Sequence, residues 1–137
     1  MSGCNYVYLG KLEMKKFYNQ KLKPRLKLWL SSDNSDGSFG DGKWQLLETI
    51  EKTASLKSTC QQLGISYRKA WGNLKNAEEC LNFTLVTKSR GGKTHGHSNL
   101  TEEGKAWMIA YSKFHRDVEN AAETAYKKYL ENFELKQ

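Results

Sequence analysis

Between Ser66 and Asn76 the chain spaces Arg68, Lys69, Asn73 and Asn76 along what reads as one helix. Arginine, lysine and asparagine are the side chains that donate to guanine and adenine edges and to phosphates. A second basic set follows in Ser89-Arg-Gly-Gly-Lys-Thr-His-Gly-His. Glycines there let backbone approach a sugar-phosphate chain closely, while Arg90 and Lys93 supply countercharge. Ser66, Tyr67, Arg68, Lys69, Asn73, Asn76, Arg90, Lys93 and Thr94 are the candidate duplex contacts. Ser66 and Tyr67 would fix the helix start against phosphate, the Tyr67 ring packing while its hydroxyl reaches outward.

Other chemistries fit the residue types less well. His95 and His97 stand two apart in the glycine loop, but no neighbouring Cys, Asp or Glu completes a tetrahedral set, so no metal is expected. Gly91-Gly92-Lys93-Thr94 lacks the spacer after a first glycine and the helix after the lysine that a nucleotide phosphate loop needs. Asp41 is read as a helix cap, because no nucleophile and base accompany it. No enzyme activity and no cofactor are expected. Cys4, Cys60 and Cys80 are scattered and odd in number, which argues for a reducing cytoplasm and against a disulfide framework. Cys60 falls where a small core residue is wanted.

The elements that must carry these residues follow from periodicity. Leu26, Leu28 and Leu30 alternate with Lys27 and Trp29, a strand signal, and Asp33 to Gly37 is a turn, so residues 26–40 read as a small hairpin. The alternation points the leucines inward and leaves Trp29 exposed or at a subunit contact. Trp44, Leu47 and Ile50 share one face of a helix over 43–53. Ser55 caps a second helix, with Leu56, Thr59, Cys60 and Leu63 inward. Gly64 ends it, because the turn requires a positive φ.

Ser66 caps a third helix. Its apolar face is Ala70, Trp71, Leu74, Ala77 and Leu81; its outer face is Arg68, Lys69, Gly72, Lys75, Asn76 and Glu79; Asn73 lies between. Two helices joined at a glycine corner are the helix-turn-helix layout. Phe83–Lys88, the basic glycine loop and Ser98–Leu100 then form strand, loop, strand: a wing. Thr101 caps a final helix reaching about Phe133, some 50 Å long at ~1.5 Å per residue. Trp107, Tyr111, Phe114, Val118, Ala122 and Tyr129 line its apolar stripe, and the same stripe of a second copy is the expected cover.

Composition bounds the answer. The 137 residues carry 22 Lys/Arg against 15 Asp/Glu, a net charge of +7, with a pI near 9.3. The excess is uneven: +6 over residues 1–30, −3 over 31–54, +5 over 55–100 and −1 over 101–137. Basic balance speaks of partners rather than of fold, and here it falls on the expected reading surface. No apolar run approaches the ~18 residues that span a bilayer, so no membrane is expected. Residues 1–20 read as a loosely ordered extension, with Met14 as an alternative start; 21–100 as the winged helix-turn-helix; 101–137 as a long dimerisation helix.

These residues also resemble a known family. Leu-Lys-Pro-Arg-Leu-Lys-Leu-Trp-Leu at 22–30, Phe-Gly-Asp-Gly-Lys at 39–43, Leu-Gly-Ile-Ser-Tyr-Arg-Lys-Ala-Trp at 63–71, Arg-Gly-Gly-Lys at 90–93 and Leu-Thr-Glu-Glu-Gly at 100–104 are similar to the amino-terminal domain of ModE-type, molybdate-responsive regulators, itself similar to the LysR-type winged helix. The wing departs from the family after Lys93, reading Thr94-His95-Gly96-His97 in place of further glycines. The resemblance implies DNA binding and dimerisation. It does not imply oxyanion sensing, since the family's molybdate-binding domains have no counterpart in these residues.

The expected fold is therefore mainly α with small β hairpins, a winged helix-turn-helix plus a long carboxy-terminal helix. The expected function is a cytoplasmic, homodimeric, sequence-specific regulator on double-stranded DNA. The alternative is a winged-helix module for protein–protein assembly, which Arg68, Lys69 and Lys75 oppose.

Overall fold

A computed structural model describes residues 21–89 and 97–134. In chain order these form β1 (Trp29–Ser31), β2 (Ser38–Gly40), α1 (Asp41–Thr53), α2 (Leu56–Leu63), α3 (Tyr67–Leu81), β3 (Val86–Ser89), β4 (His97–Leu100) and α4 (Glu102–Tyr129). This is a mainly helical fold with two antiparallel hairpins, β1–β2 and β3–β4, as the periodicities imply. The described residues fall into two compact units, Leu26–Glu119 and the pair of segments 21–25 and 120–134. No described helix is long and apolar enough to cross a membrane.

Local rules set most helix ends. The Ser55 hydroxyl accepts from Ser58 N at 3.1 Å and caps α2. Gly64 closes α2 at φ +65°, a conformation that disfavours any side chain. The Ser66 hydroxyl accepts from Lys69 N at 3.0 Å and caps α3. Thr101 Oγ1 accepts from Gly104 N at 2.9 Å, and Glu102 and Glu103 occupy the positive end of α4.

Asp41 corrects its expected role. Gly40 holds the cap position of α1 without a side-chain bond, and Asp41 is the first helical residue. Its carboxylate instead accepts from Leu28 N at 3.3 Å and from the Tyr111 hydroxyl at 2.7 Å. His115 Nε2 lies 3.4 Å from the same carboxylate, and His115 Nδ1 lies 3.5 Å from Glu119. Asp41 thus ties the segment before β1 to α4, both within the larger unit.

The core of that unit is Phe39, Leu46, Leu47, Ile50, Leu74 and Leu85, fully buried, joined by Leu56, Cys60, Val86 and Leu100. Each such side chain contributes roughly 1.5–3 kcal/mol on leaving water. Ala70 and Ala77 are buried on α3, so its backbone approaches the core closely. Phe39 meets Trp107 and Tyr111 edge-on, at centroid separations of 5.5 and 5.0 Å. β1 is exposed throughout, so the leucines of 26–30 do not form the inward row that alternation suggested. The hairpin spans only three residues on each side, and among the described residues no further strand extends it.

In the smaller unit, Leu22 and Pro24 line a shallow apolar groove with Ala122, Ala125, Tyr126 and Tyr129. The last helix ends at Tyr129, four residues short of the expected Phe133, in a turn where Glu131 N donates to Tyr126 O at 3.0 Å.

Candidate nucleic-acid interface

The candidate reading face is built from the start of α3 outward. Ser66, Tyr67, Arg68, Lys69, Gly72 and Lys75 are exposed, while Ala70, Leu74 and Ala77 face the core. That division is the 3.6-residue period acting on a chain whose small and apolar residues fall on one side. Among the described residues, neither Arg68 nor Lys69 lies within ion-pair distance of a carboxylate. Their donors are open to a ligand. Asn73 is half-buried at the boundary between faces.

Asn76 departs from the outward role expected of it. Its side-chain oxygen accepts from Ser38 N at 3.1 Å and from the Lys43 ammonium. Lys43 also donates to Ser38 O at 2.6 Å. Burial pulls the Lys43 ammonium below its ordinary range, and the neighbouring Cys80 opposes that shift. Asn76 is thus a tether between α3 and the first hairpin. Gly37 seals the same contact: a Cβ there would stand 2.6 Å from Asn76 O and 2.6 Å from Cys80 N.

The second hairpin is tied both to α3 and to the corner between α1 and α2. Val86 pairs with Leu100, Thr87 with Asn99, Lys88 with Ser98 and Ser89 with His97. Glu78 Oε1 accepts from Leu85 N at 2.7 Å and from Val86 N at 3.4 Å, so α3 sets where β3 begins. Ser98 N donates to Ala54 O at 3.0 Å, which holds β4 against the α1–α2 corner. Ala54 adopts a left-handed φ of 52°, and that bond is one of the contacts that offset its strain. Arg90, Lys93 and Thr94, with His95, lie outside the described residues.

Sequence reasoning passed over Lys88. Its ammonium sits 4.1 Å from the Trp71 ring centroid and 5.3 Å from that of Tyr67. Tyr67 and Trp71 themselves meet edge-on at 6.2 Å. Hydrogen-bonding attraction from Lys88 first, then from Trp71, holds the Tyr67 phenol below its ordinary range. Trp71 Nε1 has no acceptor within hydrogen-bond distance among the described residues, so its pull on the phenol is a longer-range one. An isolated lysine in a strand gives no such signal; the contact exists only once β3 is folded against α3.

The apolar stripe of α4 divides. Trp107 packs edge-on against Phe39 and Phe83, and Tyr111 is only 2 % exposed, with Phe39 and Trp44 against it. Tyr111 thus belongs to the core of its own unit rather than to a surface for a second copy, and Trp107 is half-buried against that core. The reason is that α4 supplies the lid over Phe39. Phe114 is 40 % exposed and Tyr129 65 %, with Val118 and Ala122 half-buried. Cys60 is buried, and burial pushes its thiol up, the state of an inert packing cysteine. No three metal-binding side chains converge among the described residues.

A trihelical cluster, an exposed basic third helix and a β hairpin after it define a winged helix-turn-helix protein. Comparison with known proteins carries this one step further. The chain is 28 % identical over 102 residues to the molybdenum-pterin-binding protein MopB of Rhodobacter capsulatus, covering 74 % of this chain and 35 % of that protein. It is 26 % identical over 93 residues to the molybdenum transport protein ModE of Azotobacter vinelandii, covering 67 % and 34 %. Over 66 residues it is 32 % identical to the transcriptional regulator ModE of Yersinia pestis, covering 48 % and 25 %. The chain is therefore similar to ModE-type proteins over the shared part, and it spans about a quarter to a third of their length. No family model matches it. Among solved structures, ArgP of Mycobacterium tuberculosis aligns with a TM-score of 0.45 and 15 % identity, over 62 % of this chain and 30 % of that one.

Proposed function

We propose that the chain is a DNA-binding transcription regulator that acts as a homodimer in the cytoplasm. The observation that carries this reading is the exposed basic face of α3, without an ion pair among the described residues, beside a hairpin that leads into Arg90 and Lys93. In this reading α3 enters the major groove, with Arg68, Lys69 and Asn73 at base edges and Ser66 and Tyr67 on phosphate. Arg90, Lys93 and Thr94 contact backbone beside the groove. Asn76 acts indirectly, by holding α3 to the first hairpin. Exposed Phe114 and Tyr129, with Val118 and Ala122, provide the dimer contact, and two half-sites lie ~34 Å apart or a multiple of it. The regulators among its homologues support the DNA-binding part of the reading.

The test is selection from a random-sequence duplex pool at ~0.15 M salt, followed by anisotropy on the selected sites. Arg68→Ala with Lys69→Ala is expected to weaken binding by about 1–3 kcal/mol per lost base contact and to relax the selected sequence. Undiminished, equally selective binding by that variant would overturn the reading. Retention of a protein partner with no duplex enriched would point to the assembly module instead.

A further inference from the structure

The Tyr67–Trp71–Lys88 cluster joins the start of α3 to β3 at the margin of the core, against which Trp71 packs. Tyr67 is 48 % exposed, and Lys88 is exposed. Among the described residues no carboxylate lies within ion-pair distance of the Lys88 ammonium. The ammonium has three donors. The faces of Trp71 and Tyr67 stabilise it from within as a cation over rings, and leave its outward donors open. The Ser66 cap fixes where Tyr67 begins the helix, and the Lys88–Ser98 pairing fixes where the lysine leaves the strand.

We infer that Lys88 and Tyr67 form one phosphate clasp, in which the ammonium and the phenol hydroxyl grip the same backbone phosphate of a duplex seated on α3. This deepens the proposed function and rests on it. The phenol oxygen is drawn on by Lys88 and, more weakly, by Trp71, which is why its titration lies below the ordinary phenol range. A hydroxyl polarised in that way donates its proton more strongly, and a phosphate oxygen is the acceptor that a groove-seated helix brings to it. A cation held over an indole also loses less side-chain freedom on binding than a free lysine does. The clasp thus lies at the junction of helix and hairpin, where one side chain from each meets the same strand of DNA.

The experiment is a salt titration of the full chain on a labelled random-sequence duplex of ~30 base pairs, from ~50 to ~200 mM salt. Lys88→Gln is expected to lower the slope of log K against log salt by about 0.9 and to cost about eightfold in affinity at ~0.1 M. Tyr67→Phe is expected to leave the slope unchanged and cost about fivefold, the scale of one lost neutral hydrogen bond. The double variant is expected to lose only about tenfold rather than the product of the two, because both groups serve one phosphate. Lys88→Arg is expected to restore the slope. An unchanged slope in Lys88→Gln, or losses that multiply, would overturn the clasp while leaving duplex binding by the parent chain intact. A parent chain with no salt-dependent binding would overturn the function itself. Where Lys88→Gln fails to fold, Lys88→Met, which keeps the aliphatic stem against the Trp71 ring and removes the charge, completes the same cycle with Tyr67→Phe, and losses that multiply there overturn the clasp equally.

Discussion

Tyr111 shows how much rests on one hydroxyl. It is buried, it donates to Asp41, and burial first, then that carboxylate, raise its phenol far above the ordinary value of 10. Above pH ~10 the unfolded chain loses this proton and the folded chain keeps it. The unfolded state then binds fewer protons, so stability is full below that pH and falls as pH rises beyond it. Tyr67 works in the opposite sense, since its phenol is lowered, but it is far more exposed and its effect is smaller. Tyr111→Phe is expected to destabilise the protein by about 1–2 kcal/mol at neutral pH and to flatten its alkaline loss, measured by urea unfolding at two pH values. A parallel loss in both proteins above pH ~10 would contradict this assignment. None of it was legible in the sequence. Asp41 reads as a cap because it opens a helix, whereas its partners lie 13 residues before it and 70 after it.

The helices and their ends were the legible part. Ser55, Gly64, Ser66 and Thr101 act through neighbours within four residues, and capping rules see that far. The outer face of α3 was legible by period, except at Asn76, where the folded hairpin competes for the side chain. Long-range contacts decide such positions, and one sequence does not display them. Two glycines make the difference measurable. Gly37→Ala is expected to cost about 1–3 kcal/mol, because its Cβ meets α3 backbone. Gly72→Ala is expected to stabilise by up to ~1 kcal/mol, since a Cβ there meets nothing within 4 Å and helix propensity rises. Thermal unfolding reads both, and equal shifts of one sign would show that the hairpin contact carries no weight.

Charge and self-association concern the molecule entire. The +5 over residues 55–100 lies on the helix-turn-helix and the hairpin segment, while residues 101–137 are nearly neutral, so repulsion does not oppose pairing through α4. The stripe on that helix was half legible: its period located the apolar face, but period alone does not separate Tyr111, spent on the chain's own core, from exposed Tyr129. Sedimentation of the purified chain is expected to give a dimer, and Ala122→Glu a monomer that still unfolds cooperatively. A monomeric parent chain would remove the proposed paired half-sites.

The tether of Asn76 and Gly37 against the first hairpin has an evolutionary consequence. Changes at the far end of α3 disturb stability before they disturb recognition, because those positions answer to the hairpin. In the proposed reading, drift toward new target sites is therefore channelled into Arg68, Lys69, Gly72 and Lys75, in the opening two and a half turns or so of the rod. On that reading, a short alphabet of replaceable positions, mounted on a stiff and slowly changing support, would let descendants of this chain acquire different genomic addresses without renegotiating the fold.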